Sequence, residues 1–321
     1  GRRVSAAADM PRQPDLRQPD PRGATATAPV LCVGAVLWDI VGRTPREMRL
    51  GSDQPGRIVR IPGGVALNIA MALRRAGLRA ELLGAVGRDF EGDGLIAACA
   101  KLGLGTDHLY RSEDLATDTY MAIEGAGDLT AAIADVHSLE QAGDKILRPL
   151  ADGTLGTADT PFAGVVALDG NLTETLLAEI AQSPLFAQAD LRIAPASPGK
   201  AERLLPLLDH PRAVLYVNLE EAGLLCQAQF GTARDAAAAL AARGAGRILV
   251  TDGGGETAEA RDGDIICGRP PKVTVTRVTG AGDTFMAAHI AAELAGTDRA
   301  AALERALAAA AAYVSGETAG A

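Results

Sequence analysis

Aromatic residues are scarce in this chain, at 3% of 321 residues, with one tryptophan. Ala and Gly are abundant instead, so cores must be built from small and aliphatic side chains. Only four cysteines are present, Cys32, Cys99, Cys226 and Cys267, far apart and without a Cys-x-x-Cys pair. A reduced, cytoplasmic chain is the simpler reading of that spacing and is expected. The four histidines, His108, His137, His210 and His289, have no metal-ligand spacing. No apolar run approaches the roughly 20 residues that span a bilayer, so no membrane partner is expected. Positive charge is also short: the net charge of −9 argues against nucleic acid as a partner and leaves small molecules open.

What is present is repeated βα alternation, which predicts an α/β fold with a mainly parallel sheet. Gly1 to Pro29 is rich in Pro, Arg and Asp and lacks periodicity, and is expected to be a disordered leader before a domain over 30–321. Val30-Leu31-Cys32-Val33 reads as a buried first strand, and Ala80 to Gly87, Gly105 to Tyr110, Val165 to Asp169, Leu191 to Ala194, Ala213 to Val217 and Arg247 to Val250 as further strands. Helices are expected from Gly64 to near Gly77, over Asp93–Leu102 and Thr173–Gln182, from Gly199, and over Arg299–Val314. Two stretches break the alternation. Residues 43–61 and 117–135 carry exposed-strand and hairpin patterns, and are expected to form a small β-sheet lid.

The most informative stretch is Thr279-Gly280-Ala281-Gly282-Asp283. The β-branched run Val273 to Thr276 reads as a strand before it, and Met286 to Leu294 as a helix after it. Glycines at a helix start let a ligand approach the backbone, and the free N–H groups there attract anions. A carboxylate beside such an anion hole has a purpose if Asp283 takes the proton of a hydroxyl attacking a phosphoryl group. Alone, the same residues also suit an ordinary tight turn with an acidic helix start.

Other candidates lie at strand ends and helix starts. Asp39 follows the first strand and is either a turn carboxylate or a grip for substrate hydroxyls. Gly63 and Gly64 open a helix with Asn68 one turn in, where its amide reaches a ligand lying on the glycines. Asn218 with Glu221, and Thr251 with Gly253, stand at carboxyl ends of strands, where open α/β sheets bind ligands.

In this order the motifs resemble the ribokinase-like sugar and nucleoside kinases, the PfkB family, over roughly Val30 to Gly316. Gly63-Gly64 with Asn68 and Leu83 to Gly92 are similar to its N-terminal signature, Asn218-Leu219-Glu220-Glu221 to its N-x-x-E motif, and Thr279 to Phe285 to its C-terminal signature. The resemblance implies a Rossmann-type three-layer fold and ATP-dependent phosphorylation of a primary hydroxyl. Asp283 is then the base and Gly280, Ala281 and Gly282 the anion hole. Thr251 and Gly253 sit on the nucleotide side. Asn218 and Glu221 stand near Mg²⁺, with Glu221 acting through water. Gly63, Gly64, Asn68 and Asp39 hold the sugar. Arg277 departs from the family, standing where many members carry an Asp that helps bind a monovalent cation.

Within the family, Gly127 to Asp135 and Ala196 to Leu204 resemble the pseudouridine kinases. By that match Lys200 contacts substrate, and it reads equally as a solvated helix-start lysine. Ala194 departs from the subgroup, where an Asp is usual. The expected function is therefore phosphorylation of the 5′-hydroxyl of a nucleoside, pseudouridine first. The alternative is a kinase for ribose, a ketohexose or a keto-sugar acid, and behind it a non-catalytic ligand-binding relative. Exposed edges of the lid offer a route to a homodimer.

Overall fold

The computed structural model describes residues 28–317, so the expected leader lies, except for its last two residues, outside the described residues. In chain order the elements are β1 (Val30–Val33), β2 (Leu37–Thr44), β3 (Arg57–Gly63), α1 (Val65–Arg75), β4 (Ala80–Leu83), β5 (Ala85–Gly87), α2 (Phe90–Lys101) and β6 (Tyr110–Ser112). Then follow β7 (Thr119–Gly125), β8 (Asp128–Asp135), α3 (His137–Ala142), β9 (Val165–Asp169), α4 (Glu174–Gln182), β10 (Asp190–Ala194), β11 (Ala213–Asn218) and α5 (Leu219–Cys226). The chain closes with α6 (Ala233–Ala242), β12 (Arg247–Thr251), β13 (Thr257–Arg261), β14 (Asp264–Gly268), α7 (Ala281–Leu294) and α8 (Arg299–Val314). Gly143–Leu150, Pro184–Phe186 and Pro198–Leu207 are 3₁₀ helices.

Eight strands form the central sheet in the order β14-β13-β12-β11-β10-β9-β1-β4. From β4 to β12 every pairing is parallel, and β13 and β14 extend the edge antiparallel. Strand alternation sorts the core between two faces. Leu31, Val33, Val166 and Leu168 point into one cluster, against helices that include α4 and α6. Val30, Cys32, Val165 and Ala167 point into the other, against α1, α7 and α8. A buried leucine contributes about 1.5–3 kcal/mol, so these two cores, more than helix propensity, hold the three layers together. The chain runs from β1 outward to β4 and later returns to β9 on the other side of β1. That reversal opens a crevice at the carboxyl ends of β1 and β9.

A second sheet, of order β3-β2-β7-β8, lies outside the central one and takes in both segments that broke the alternation. It includes a strand the sequence did not announce: β2 carries Asp39 in register with Ile61 and Tyr120, not in a turn after β1. Trp38 ties this sheet to α2 by donating from its indole N–H to the Glu91 carbonyl at 2.7 Å.

Four expectations are corrected. Residues 80–87 split at Gly84, and β5 pairs with β6 apart from the central sheet. Gly105 makes only an isolated bridge to Glu81. The helix from Gly199 is 3₁₀, with Pro206 inside it. Residues 273–276 are exposed loop. Their β-branched side chains fit a pleated, half-buried surface, but β14 already closes that edge of the sheet.

Candidate active site

Parallel register brings strand ends into one line. Asp169 lies opposite Ala194, and Asn218 opposite Thr251. Facing that edge is the start of α7. Gly280 caps it with φ 92°, and a side chain there would also run into Tyr313, whose hydroxyl donates to the Thr279 carbonyl at 2.8 Å. Only glycine meets both demands cheaply. The Ala281 N–H donates to the Val278 carbonyl at 3.0 Å, so it is removed from the expected anion hole. The N–H groups of Gly282 and Asp283 have no acceptor among the described residues, and Gly282 faces open space. The N–H groups left free at this helix start are therefore those of Gly282 and Asp283 among the described residues, not that of Ala281.

The Asp283 carboxylate is half-buried and takes no hydrogen bond among the described residues. Burial pushes its pKa up to about 6, Arg75 pulls the other way, and the charge of Asp169 pushes it further up. Such a carboxylate is still ionised at neutral pH and is a stronger base than an exposed Asp.

Asn218 and Glu221 form a reciprocal helix cap. The Asn218 side chain accepts from the Glu221 N–H at 2.8 Å, and Glu221 Oε1 accepts from the Asn218 N–H at 2.9 Å. The N-x-x-E motif is thus first a capping box at the start of α5. It leaves Glu221 Oε2 without a partner among the described residues. The Glu221 pKa is raised by burial and by the charges of Glu220 and Asp283, against the Asn218 N–H. A cavity of about 430 Å³ is lined by Asn218, Glu221, Thr251, Gly253, Gly282 and Asp283, with Ala281 also on its wall.

The residues expected to hold the substrate form a neighbouring group. Gly64, with φ 99°, sits so tightly against the Ala35 carbonyl that no side chain fits, and it starts α1. One turn on, the amide of Asn68 is half-buried and has no partner among the described residues, while its backbone N–H donates to Gly64 at 2.8 Å. The Asp39 carboxylate packs against Gly63, has no hydrogen bond among the described residues, and is raised to about 6 by burial. Lys200 is engaged within the protein: its Nζ donates to Asn171 Oδ1 at 2.9 Å, and burial followed by Arg203 lowers its pKa.

One residue at the crevice was missed. Asp169, fully buried, accepts from the N–H groups of Ala35 and Ala66 at 2.8 Å each and of Asn171 at 2.7 Å. It welds β1, α1 and β9 at the crevice. Burial raises its pKa, and the three N–H donors and Lys200 oppose this. A carboxylate closing an apolar strand just before Gly-Asn was a usable signal, but its partners are 134 and 103 positions away.

The chain as a whole is similar to known proteins. The profile of the pfkB family carbohydrate kinases matches residues 27–321. The chain belongs to that family. As a pfkB family carbohydrate kinase it is a phosphotransferase acting on an alcohol group. It is 29% identical to the pseudouridine kinase of Escherichia coli K12 over 272 residues, 80% of this chain and 81% of that protein. A carbohydrate kinase from Agrobacterium tumefaciens superimposes with a TM-score of 0.74 at 26% identity, over 88% of this chain and 89% of that one. The Arabidopsis thaliana ribokinase complexed with ribose and ATP shares the fold, with a TM-score of 0.73 at 21% identity over 92% and 94% of the two chains. Among the described residues no helix of this kinase is long and apolar enough to cross a membrane.

Proposed function

We propose that this kinase transfers the γ-phosphoryl group of ATP to the 5′-hydroxyl of pseudouridine. One observation carries the chemistry: Asp283 is a half-buried carboxylate without a partner among the described residues, beside two N–H groups at the start of α7 that have no acceptor among them either. Asp283 accepts the hydroxyl proton, and the N–H groups of Gly282 and Asp283 stabilise charge on the transferring phosphoryl group. The cavity lined by Thr251 and Gly253 takes the nucleotide. Asp39, Gly64 and Asn68 hold the sugar hydroxyls.

The residues present fit a Mg²⁺ ion carried by the nucleotide. Glu221 keeps one carboxylate oxygen free on the cavity wall, and no group of three metal-binding side chains gathers among the described residues. Bound there, the ion would neutralise phosphate charge. Asn218 and Glu221 would hold its water shell.

The small sheet acts as a lid over the sugar and excludes water. The same sheet exposes Ile58, Met121 and Ile133 on one face, a face suited to pairing with a second copy. A reduced cytoplasmic setting matches four free cysteines, three of them buried.

The choice of pseudouridine rests on the 29% identity with the Escherichia coli enzyme and on the hairpin of β7 and β8. The test is an ATP-consumption screen with Mg²⁺ over nucleosides, sugars and keto-sugar acids. Pseudouridine should give the highest kcat/KM, above uridine and ribose. A sugar or sugar acid that wins would overturn the substrate and leave the kinase. No ATP consumption with any acceptor would overturn both.

A further inference from the structure

Four arginines that are buried or half-buried have carboxylate partners. Arg192, Arg247, Arg261 and Arg299 face Asp190, Glu259, Asp264 and Glu293. On the other side of α7 the pattern is different. A groove of about 340 Å³ runs between α1, α7 and α8, floored by alanines such as Ala72, Ala288, Ala292 and Ala309. Three arginines stand around it: Arg75, Arg277 and Arg305.

None of the three has a carboxylate partner among the described residues. Arg75 donates to Thr284 Oγ1 at 3.4 Å, Arg277 to the Tyr313 carbonyl at 2.7 Å, and Arg305 to Thr297 Oγ1 at 2.8 Å. Two of them are gathered on one ring: the guanidinium carbons of Arg75 and Arg277 lie 5.4 and 3.8 Å from the centre of Tyr313. Like charges held this close repel, and a ring quadrupole offsets only part of that. The one acid among the groove's described residues, Glu317, makes no ion pair with them. In a chain of net charge −9, two cations gathered at one end of an apolar slot, without a carboxylate partner among the described residues, mark a place for an anion.

We infer that this groove is a binding site, separate from the catalytic cavity, for a small anion with a flat apolar body, such as an aryl phosphate or an aromatic carboxylate. The alanine floor takes the apolar body and leaves room for a ring. The guanidinium groups of Arg75 and Arg277, gathered on Tyr313, take the anionic end, with the paired donors that suit a phosphate or carboxylate; Arg305 stands at the far end of the groove, beside Thr297. The volume lies within the range of small-molecule pockets, about 300–1,000 Å³.

The groove touches the catalytic helix at its first turn. Arg75 is the cation that opposes the upward shift of Asp283, and Thr284, its hydrogen-bond partner, is the next residue. Tyr313 supports Thr279 and Gly280. An anion on Arg75 would therefore weaken its hold on the Asp283 charge and move the acid limb of the rate profile to higher pH. That consequence rests on the kinase reading; occupancy of the groove does not.

The test reads binding without turnover. Phenyl phosphate is titrated calorimetrically into the full chain saturated with a non-hydrolysable ATP analogue, and inorganic phosphate is titrated separately. One equivalent of phenyl phosphate should bind, more tightly than inorganic phosphate. Arg277→Glu reverses a charge at the anionic end and Ala309→Leu fills the floor. Each should weaken binding by about tenfold or more with circular dichroism unchanged. Arg277→Glu is an exposed change and keeps the test decisive if Ala309→Leu misfolds. Absence of binding at millimolar phenyl phosphate would overturn the inference. So would binding that Arg277→Glu leaves unchanged, or equal affinity for inorganic phosphate.

Discussion

As the proposed base, Asp283 must be buried enough to be basic and charged enough to accept a proton. Burial pushes its carboxyl up to about 6 in the fold, against an ordinary value of 3.8. Between those values the folded chain binds the extra proton, so this group adds stability as pH falls from about 6 to about 4. At pH 7 its ionised form costs the fold at most about 3 kcal/mol. Asp283→Asn should therefore be more stable than the wild type at pH 7, with the gain gone below pH 4, as urea melts at the two pH values would show. The same change should lower kcat by about 10²–10⁴ and leave ATP binding nearly intact, because the Gly282 and Asp283 amides remain. Near-wild-type turnover would exclude Asp283 as the base. Loss of ATP binding in a folded variant would assign it to positioning. In the wild type, kcat should fall as pH drops through about 6.

The turn before α7 shows what a local motif makes legible. Gly280 stands at φ 92° against Tyr313. Gly280→Ala should cost about 1–3 kcal/mol and lower kcat, measured by thermal melts beside steady-state rates. Unchanged values would mean that the turn is softer than its geometry. Beside it Arg277 puts a guanidinium on the Tyr313 ring and carbonyl, where a cation-binding carboxylate was expected from the family. Activity should be largely independent of K⁺, and strong activation by KCl over a matched tetraalkylammonium chloride would refute this. Motifs such as Gly63-Gly64, Asn218 to Glu221 and Thr279 to Asp283 could be read because their geometry is set within a few residues. The elements that were not read lack such self-sufficiency. β2 exists because β3 and β7 flank it, and the β13–β14 hairpin because β12 offers an edge. Residues 273–276 carry the right side chains and have no such neighbour.

Across the whole molecule, α7 is held at its two ends by different devices. Its start rests on Tyr313 and the Thr279 turn. Its far end enters a buried ionic network, in which Glu293 meets Arg192 at 2.6 Å, Arg247 at 2.9 Å and Arg261 at 3.1 Å. The Tyr216 hydroxyl bonds to His289 Nδ1 at 2.7 Å and accepts from Arg192 at 2.8 Å. None of this was visible in the sequence, since Arg192 and Glu293 are 101 positions apart. Burial raises the Glu293 pKa, but Arg192 and Arg247 outweigh it and hold the carboxyl at about 2. A carboxyl held below its ordinary 4.5 adds stability above that value and loses it as pH falls toward 2. Glu293→Gln should then cost about 3 kcal/mol at pH 7, the low end for a broken buried pair, because Asp190 and Glu259 remain beside the arginines. The deficit should shrink in urea melts as pH drops below about 4.5. Turnover well below the melting point should change little, because the first turn of α7 keeps its own support. A collapse of kcat in the folded variant would show instead that the network sets the aim of Asp283 from the far end of the helix.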